Sequence, residues 1–429
     1  MTDPVPPRPA SAFRLNLEQQ KTRAKELLRS ARAGDAAASS RLAAVVPQRG
    51  AWKLADAQHA IARELRFESW ARLKAHIGAL EGQRAAIEAR AAAPDADLHT
   101  LHVRCGSDIQ LTLAQAGFVG EFLEHAIPYC QGPVTLGPER HELMARFLVE
   151  AYPDARGGLL YERELEGLIE GERRLERVGG EFERIVLWME HDSWDQLVLA
   201  RVLACFARCA RPRVLELVSA REFPGGQRFL GLGQLPPEAL RLLWSTRAAV
   251  TETQLALGSA VWSALSCDDP TGLAGIARSG TPALPIMAPA LLRHLRELPS
   301  IENGLSLTEQ LILEILAEGS RTLNRVFFLM QTQREPLPWI TDLGLLHVVD
   351  DLLRAAAPVL VREPAAPGAR AFAQRLTITD LGRAVLRGAR DWHSLEPPAR
   401  WVGGVHVQPR ASGWRWNERQ REPQRTPGR

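Results

Sequence analysis

The spacing of apolar residues changes along the chain and indicates which segments are helices and which are strands. Near the start, Ala24 follows Leu17 by seven residues and precedes Leu27 and Leu28 by three and four. This is the spacing of residues on one face of a helix. Further on, short apolar runs such as 185–189 alternate with helical segments. This alternation is typical of βαβ units, whose strands form a mostly parallel sheet. The sequence therefore predicts an α/β core with helical regions before and after it.

The changes of period divide the chain into seven predicted regions. The predicted fold class is α/β, with a mostly parallel, doubly wound sheet flanked by an N-terminal helical bundle and by a C-terminal helical and winged-helix-like part. The regions are a disordered arm at 1–12, a helical module at 13–82, a linker at 83–98, the α/β domain at 99–225, a helical connecting region at 226–300, a winged-helix-like region at 301–395 and a tail rich in tryptophan and arginine at 396–429.

The same pattern predicts individual elements. Three short helices fit the apolar spacing between residues 15 and 80, with Gly34 and Asp35 as a stop and restart and Ser69 as an N-cap. In the α/β domain, the predicted strands are 101–105, 125–130, 185–189 and 214–218. The predicted helices there are 109–116, 139–175 with a break at Gly157 and Gly158, and 195–209.

Charge and composition indicate an ordinary soluble chain. The formal net charge is +3 over 429 residues, and hydrophobic residues make up 45%. Such a small charge indicates neither nucleic acid nor a membrane surface as a partner. The five cysteines include no C-x-x-C pair, and no apolar run approaches the roughly 18 residues of a membrane span. These observations predict a cytoplasmic protein without a disulfide framework or a zinc ribbon.

The strongest candidate site is the polar turn after the apolar run 185–189. Glu190, His191, Asp192 and Asp195 lie there within six residues, just before a predicted helix. His191 would act as an acid or base oriented by a carboxylate, or His and Asp would hold a metal. The alternative is structural: Asp192 caps the helix, Asp195 complements its dipole and Glu190 is solvated. The candidate catalytic residues are His191, Glu190 and Asp192, and no metal or cofactor is assigned.

Neighbouring turns are also candidates, because ligands of open parallel sheets bind beyond the carboxyl ends of the strands. Gly106, Ser107 and Asp108 open a predicted helix after a strand, and their backbone amides would receive a phosphate or carboxylate. Neither G-x-G-x-x-G nor a Walker A lysine accompanies them, and a tight capped turn is the alternative. The candidate ligand-binding residues are Gly106, Ser107, Asp108, Gly132, Asp195, Gln196, Arg293, His294, Asn303 and His406.

The C-terminal regions raise the question of nucleic acid binding. In 341–356, the segment that would fill a DNA groove, three aspartates accompany a single arginine, which suits phosphate badly. We therefore expect this region to bind protein. The tail at 409–429 has six arginines and two glutamates, with Trp414 and Trp416 interleaved. It would stack on single-stranded nucleic acid or form a solvated, disordered end, and we favour the second interpretation.

Five stretches after residue 98 carry a resemblance to a known family: Leu101-His-Val-Arg-Cys-Gly106, Leu187-Trp-Met-Glu-His-Asp-Ser-Trp-Asp-Gln-Leu197, Arg293-His-Leu-Arg-Glu-Leu-Pro-Ser-Ile-Glu-Asn-Gly304, Leu307-Thr-Glu309 and Trp401-Val-Gly-Gly-Val-His406. They resemble the bacterial family of unknown function called DUF1835, followed by its C-terminal companion DUF3658. Where the family has an acidic residue directly after the first strand's glycine, this chain has Ser107 and then Asp108. The resemblance implies a DUF1835-like α/β domain at 99–225 and a DUF3658-type region at 301–395, with no established activity.

A second, shorter resemblance concerns the helical module. Residues 54–74 resemble the helical segment found ahead of ankyrin-type repeats in bacterial proteins, which implies a protein partner for this module. The alternative, which we favour, is a small bundle with Phe67 and Trp70 in its core.

Three functional hypotheses follow. The leading one is a ligand-binding or regulatory protein that recognises a small anionic molecule at the strand ends and relays to a protein partner through its helical parts. The second is a hydrolase or transferase that acts on a phosphorylated or nucleotide-like substrate through His191. The third is a transcription regulator that binds DNA through the winged helix.

Overall fold

The computed structural model of the chain describes residues 12–47, 51–153, 158–363, 371–409 and 413–426. The arm predicted at 1–12 lies outside these ranges except for Ala12, and so does Gly157 of the predicted helix break. Among the described helices, none combines the length and the apolar character needed to cross a bilayer.

A mostly parallel sheet forms the centre of the α/β part. Within the described residues it has five strands in the order β2-β1-β3-β4-β5. The mixed α/β class and the mostly parallel sheet predicted from the sequence are thereby confirmed. The strands are β1 (Thr100–Arg104), β2 (Glu121–Glu124), β3 (Arg184–Glu190), β4 (Val214–Ala220) and β5 (Ala248–Ala249).

The strand predicted at 125–130 is wrong, because the chain forms β2 just before it. β2 is an edge strand whose residues are exposed or half-buried, so it lacks the apolar run by which a buried strand is found. The apolar residues that follow belong to a turn around Pro128, where the amide of Gln131 donates to the Pro128 carbonyl oxygen at 3.0 Å. β5 has only two residues and gives no pattern at all.

The described chain forms two compact units. The first combines the residues up to His102 with Gly106–Leu123 and Glu216–Ala248. Its N-terminal part has four helices where the sequence predicted three, since α2 has only eight residues, about two turns, and is too short to show a period. Its helices are α1 (Leu17–Arg32), α2 (Ala36–Ala43), α3 (Leu54–Glu64), α4 (Trp70–Glu88), α5 (Gln110–Gln115) and α9 (Pro237–Trp244).

Local signals fix the ends of these helices. Gly34 has φ +86°, a conformation that suits glycine after a helix, and the Asp35 carboxylate accepts from the Ala37 amide at 3.0 Å to cap α2. The Ser69 hydroxyl accepts from the Arg72 amide at 3.2 Å, as predicted. Phe67 is buried in the core of this bundle, as the structural interpretation predicted, whereas Trp70 is partly buried and packs against that core.

The second unit combines Val103–Cys105, Glu124–Leu215 and the described residues from Ala249 onward. Around β3 it is helical, and α10 packs along α8. The long predicted helix at 139–175 is confirmed as two helices separated near Gly158. The helices before the C-terminal part are α6 (Arg140–Ala151), α7 (Tyr161–Glu181), α8 (Ser193–Phe206), α10 (Glu252–Leu265), α11 (Thr271–Ser279) and α12 (Met287–Leu295).

Small antiparallel sheets and further helices complete this unit. One sheet has the order β6-β8-β7, and two hairpins pair β9 with β10 and β11 with β12. The elements are α13 (Leu307–Ala317), β6 (Arg321–Thr322), α14 (Leu323–Leu329), α15 (Asp342–Arg354), β7 (Leu360–Arg362), β8 (Arg375–Ile378), α16 (Asp380–Leu386), β9 (Arg400–Val402), β10 (Val405–Val407), β11 (Gly413–Asn417) and β12 (Glu422–Thr426).

The tail is therefore an ordered hairpin over 413–426, and the expectation of a disordered end is wrong for these residues. Trp416 explains the order: it is 4% exposed, and its amide donates to the Pro299 carbonyl oxygen at 2.7 Å. The Ile301 amide donates to the Trp416 carbonyl oxygen at 3.0 Å. Burial of one indole and two backbone bonds hold the hairpin against the chain near residue 300.

Candidate functional site

The turn between β3 and α8 has the strand-to-helix geometry that the sequence predicted. All seven residues of β3 are buried, and the strand ends at Glu190. Asp192 is the N-cap of α8, and its carboxylate accepts from the Asp195 amide at 2.9 Å. Asp192 thus has the capping role of the structural alternative.

An arginine that sequence reasoning did not connect to this turn joins the carboxylates. Arg104, the last residue of β1, places Nη2 3.0 Å from Glu190 Oε1 and pairs with Asp195 through Nη1. Asp195 also accepts from the Glu190 amide at 2.8 Å and from the Cys105 thiol at 2.6 Å. We call Arg104, Cys105, Glu190, Asp192 and Asp195 the strand-end cluster.

Burial determines the protonation of this cluster. Burial, followed by the negative charges of Asp195 and Glu190, raises the pKa of Asp192 well above its usual value. Burial likewise raises the pKa of the Cys105 thiol, which argues against a nucleophilic thiolate there. The cluster is a network of one cation and two carboxylates, with a third carboxyl group that favours its protonated form.

The cluster offers a possible cation site. Glu190, Asp192 and Asp195 each place an oxygen within 4.8 Å of the others, which is close enough for one metal ion. However, Asp195 already accepts from Arg104, Cys105 and a backbone amide. A metal would have to displace both the Asp192 proton and some of these donors, so the geometry fits a closed network better.

His191 lies next to this cluster in the sequence and is 9% exposed. Its role as acid or base stays a hypothesis. Gln196, a candidate ligand-binding residue, donates from its side-chain amide to the Glu190 carbonyl oxygen at 2.6 Å. That bond fixes the turn and uses a donor that a ligand would need.

The candidates on the first strand-end turn lie in the other compact unit. Gly106 is half-buried, and Ser107 and Asp108 are exposed. In that unit a Cβ atom added to Gly233 would lie 2.7 Å from an Asp108 carboxylate oxygen, so the Asp108 side chain packs closely on Gly233. Their role in anion binding stays a prediction.

Gly132 and Asn303 have structural roles in the second unit. A Cβ atom at Gly132 would lie 2.7 Å from the Met144 sulfur, so glycine there permits close packing against α6. The Asn303 side chain accepts from the Leu305 amide at 3.1 Å, and its carbonyl oxygen accepts from the Trp392 amide at 2.8 Å.

Arg293 is committed to a buried ionic network. Its guanidinium donates to both oxygens of Glu335 at 2.8 and 2.7 Å, to Glu297 at 2.6 Å and to the Thr308 hydroxyl at 2.9 Å. These bonds favour a structural role over ligand binding. The adjacent His294 is 2% exposed, and burial lowers its pKa to about 4, so it is neutral.

His406, the last candidate, lines a cavity of about 1080 Å³. We call this cavity the Trp401 cleft. His406 stacks on Trp401 with 4.3 Å between ring centroids and 12° between planes. The other side chains that matter for its chemistry are Cys267, Asp391, His393, Trp414, Arg415 and Arg425.

Two hairpins build the cleft. β9 and β10 are joined by Gly403 and Gly404, and Gly403 has φ +60°. A Cβ atom at Gly403 would lie 2.8 Å from the Leu265 carbonyl oxygen, and the Gly404 amide donates to that oxygen at 2.8 Å. This close approach to the end of α10 requires glycine and positions Trp401 and His406.

The second hairpin contributes an aromatic ring and two arginines. Trp414 and Arg425 are paired across β11 and β12, with the Arg425 guanidinium carbon 5.6 Å from the indole centroid. Arg415 donates to Asp391 at 2.5 and 3.1 Å. The Trp-Arg-Trp alternation at 414–416 is a signal that could have predicted a strand here, but nothing in the sequence indicated the partner strand.

No protein-family model matches the chain, and no curated protein matches it significantly. The resemblance to DUF1835 and DUF3658 is therefore neither supported nor contradicted and stays a prediction.

Proposed function

We propose that the chain is a ligand-binding protein whose Trp401 cleft accepts a planar heterocycle that carries a negative group, as nucleotides do. The observation that carries the proposal is that two half-buried tryptophans, Trp401 and Trp414, line one cavity together with Arg425. The cavity volume of about 1080 Å³ is at the upper end of small-molecule sites.

Aromatic faces support the heterocycle part of the proposal. Half-buried indoles offer flat apolar surfaces on which a ligand ring stacks. His406 covers one face of Trp401, and partial burial lowers the pKa of its imidazole and favours the neutral form. His393 is neutral as well, because burial and the charges of Arg400 and Arg415 lower its pKa to about 4.

Charge supports the negative group. Asp391 neutralises Arg415 through two hydrogen bonds. Arg425 is exposed and, within the described residues, forms no ion pair, so its guanidinium is available to a ligand carboxylate or phosphate. The strand-end cluster is a poorer place for an anion, because its carboxylates outnumber its one arginine.

Calorimetric titration with AMP tests the proposal, with ribose 5-phosphate and a ten-residue oligo(dT) as further probes. Trp414→Leu should weaken AMP binding about tenfold, since stacking on one aromatic contributes about 1–3 kcal/mol per base. Arg425→Gln should weaken AMP and ribose 5-phosphate alike. Tighter binding of oligo(dT) than of AMP would identify single-stranded nucleic acid as the source of the bases.

Arg419→Gln is the matched control, because Arg419 is an exposed arginine of the same hairpin outside the cleft. It should leave every affinity unchanged. Absence of binding by all three probes, or unchanged AMP affinity in a folded Trp414→Leu protein, would overturn the proposal.

The winged-helix interpretation of 301–395 belongs to the same proposal, as a part that binds protein. It is supported by the element order α13, β6, α14, α15, β7, β8 and by the sheet order β6-β8-β7. The acidic character of α15 favours a protein partner over DNA.

A further inference from the structure

A small cavity of about 40 Å³ lies in the second unit, between the segment that follows β2 and helices α6, α7, α8 and α10. We call it the Arg201 pocket. It shares Thr135 with the wall of the Trp401 cleft. The side chains that decide its chemistry are His125, Tyr129, Thr135, Arg140, Glu172 and Arg201.

Arg201 points to a ligand. It is 4% exposed, its Nη2 donates to Glu172 Oε1 at 2.6 Å, and its guanidinium carbon lies 5.5 Å from the Trp262 ring centroid. Its Nη1 is buried and has no hydrogen bond of normal geometry to the residues that the structure describes. The Tyr129 hydroxyl lies beside the same guanidinium, whose charge and hydrogen bond oppose the rise that burial causes in the pKa of Tyr129. A buried guanidinium nitrogen needs an acceptor, because it has given up its hydration.

The charges around the pocket favour an anionic acceptor. The Glu172 carboxylate pairs with two arginines: Arg201 Nη2 lies 2.6 Å from Oε1, and Arg140 Nη2 lies 2.8 Å from Oε2. His141 Nε2 lies 2.5 Å from Oε2. Burial alone would raise the pKa of Glu172, but the hydrogen bond from Arg140 and the two guanidinium charges lower it to about 2. Two guanidinium cations therefore share one carboxylate, which leaves a positive charge.

Neutral groups complete the pocket. Thr135 Oγ1 is buried and, in the described part of the chain, is also without a hydrogen-bond partner. The Tyr129 hydroxyl lies 3.1 Å from His125 Nε2. Burial and then the charge of Arg201 lower the pKa of His125 to about 4, so the imidazole adds no charge at neutral pH. The Thr135 hydroxyl and Arg201 Nη1 therefore both line this cavity without a hydrogen bond of normal geometry to the described residues.

We propose that the Arg201 pocket binds a carboxylate group, which accepts hydrogen bonds from Arg201 Nη1 and from the Thr135 hydroxyl. Size selects the carboxylate among common anions. A cavity of about 40 Å³ holds about three water-sized atoms, which matches the three heavy atoms of a carboxylate better than the five of a tetrahedral phosphate. The site does not depend on the proposed nucleotide-class ligand of the Trp401 cleft.

Calorimetric titration of the full chain with sodium acetate, against sodium chloride at equal ionic strength, tests this inference. Arg201→Lys keeps a positive charge that can pair with Glu172 but removes the second nitrogen, and should weaken acetate binding about tenfold or more. Thr135→Val keeps the side-chain shape, removes the hydroxyl and should weaken binding by a smaller factor. In Arg425→Gln, which lacks the anion-binding arginine proposed for the Trp401 cleft, sodium phosphate should bind less tightly than acetate.

Arg208→Gln is the matched control, since Arg208 is an exposed arginine just beyond the end of α8 and outside the pocket. It should bind acetate like the natural chain. Circular dichroism checks the fold of each variant, and Thr135→Val decides the question if Arg201→Lys does not fold. Acetate heats no larger than those of chloride would show that the pocket holds water only, and unchanged acetate affinity in folded Arg201→Lys and Thr135→Val would also overturn the proposal.

Discussion

Arg104 and Arg201 are both buried in the second unit, yet their surroundings differ. Arg104 lies between two carboxylates and adds a long contact, 3.5 Å, to the Trp188 carbonyl oxygen. Arg201 shares one carboxylate with Arg140 and leaves Nη1 unused among the described residues. The lesson is that a buried charge by itself does not mark a site: the number of acceptors around it separates a structural arginine from one that a ligand can complete.

The largest expected effect comes from removing the arginine of the strand-end cluster. Arg104→Met should lower the free energy of unfolding by about 3–5 kcal/mol at pH 7, because Glu190 and Asp195 stay buried without their cation. Urea unfolding at equilibrium measures the loss. Arg208→Gln, which removes an exposed arginine, should change stability by less than about 0.5 kcal/mol. A loss below about 1 kcal/mol for Arg104→Met would contradict the closed network.

The next largest effect concerns Glu172, the carboxylate that pairs with Arg201. The pKa of Glu172 is lowered from 4.5 to about 2 in the folded chain, so its stabilisation is present above pH 4.5 and is lost as pH falls towards 2. At pH 7, Glu172→Gln should lower the free energy of unfolding by about 3 kcal/mol. Urea unfolding between pH 2.5 and 7 should show the natural chain and Glu172→Gln converging at the acid end. A gap that is constant with pH would contradict this assignment.

The smallest effect tests the protonation of Asp192 in the strand-end cluster. Asp192→Asn keeps an N-cap and replaces a carboxyl group that favours its neutral form, so stability near pH 3.5, where the carboxyl group is mostly protonated in the unfolded chain as well, should change by less than about 1 kcal/mol. The folded pKa of Asp192 is raised above its usual 3.8, so its contribution is fully present below that pH and is lost as pH rises through the folded value. Asp192→Asn should therefore become relatively more stable between pH 5 and pH 8, which unfolding curves at both values would reveal. A relative loss of stability at pH 8 would show that Asp192 is ionised and held by a partner.

Local chemistry made part of this predictable from the sequence. The caps at Ser69 and Asp192 and the buried strand before Glu190 depend on patterns within a few residues. The edge strand β2 escaped prediction because exposed strands have no apolar run. The hairpin of the tail escaped prediction because its order comes from contacts of Trp416 with residues near 300.

The sites depended on contacts between distant residues. The carboxylates after β3 were visible in the sequence, but their cation is Arg104, some ninety positions away. The Arg201 pocket combines residues from 125 to 262 and has no local motif. The sequence shows which residues are charged, but only the contacts between them in the fold show which side chains have an unused hydrogen-bond donor.

Cys267 lies in the wall of the Trp401 cleft and is exposed, whereas the other four cysteines are buried or half-buried. Its thiol donates to the Ser263 carbonyl oxygen at 3.2 Å at the end of α10. The natural chain therefore carries a built-in anchor for disulfide tethering, in which a library of thiol-bearing fragments is captured reversibly and read by mass spectrometry. Fragments retained at Cys267 would chart the shapes that the cleft accepts before any natural ligand is known.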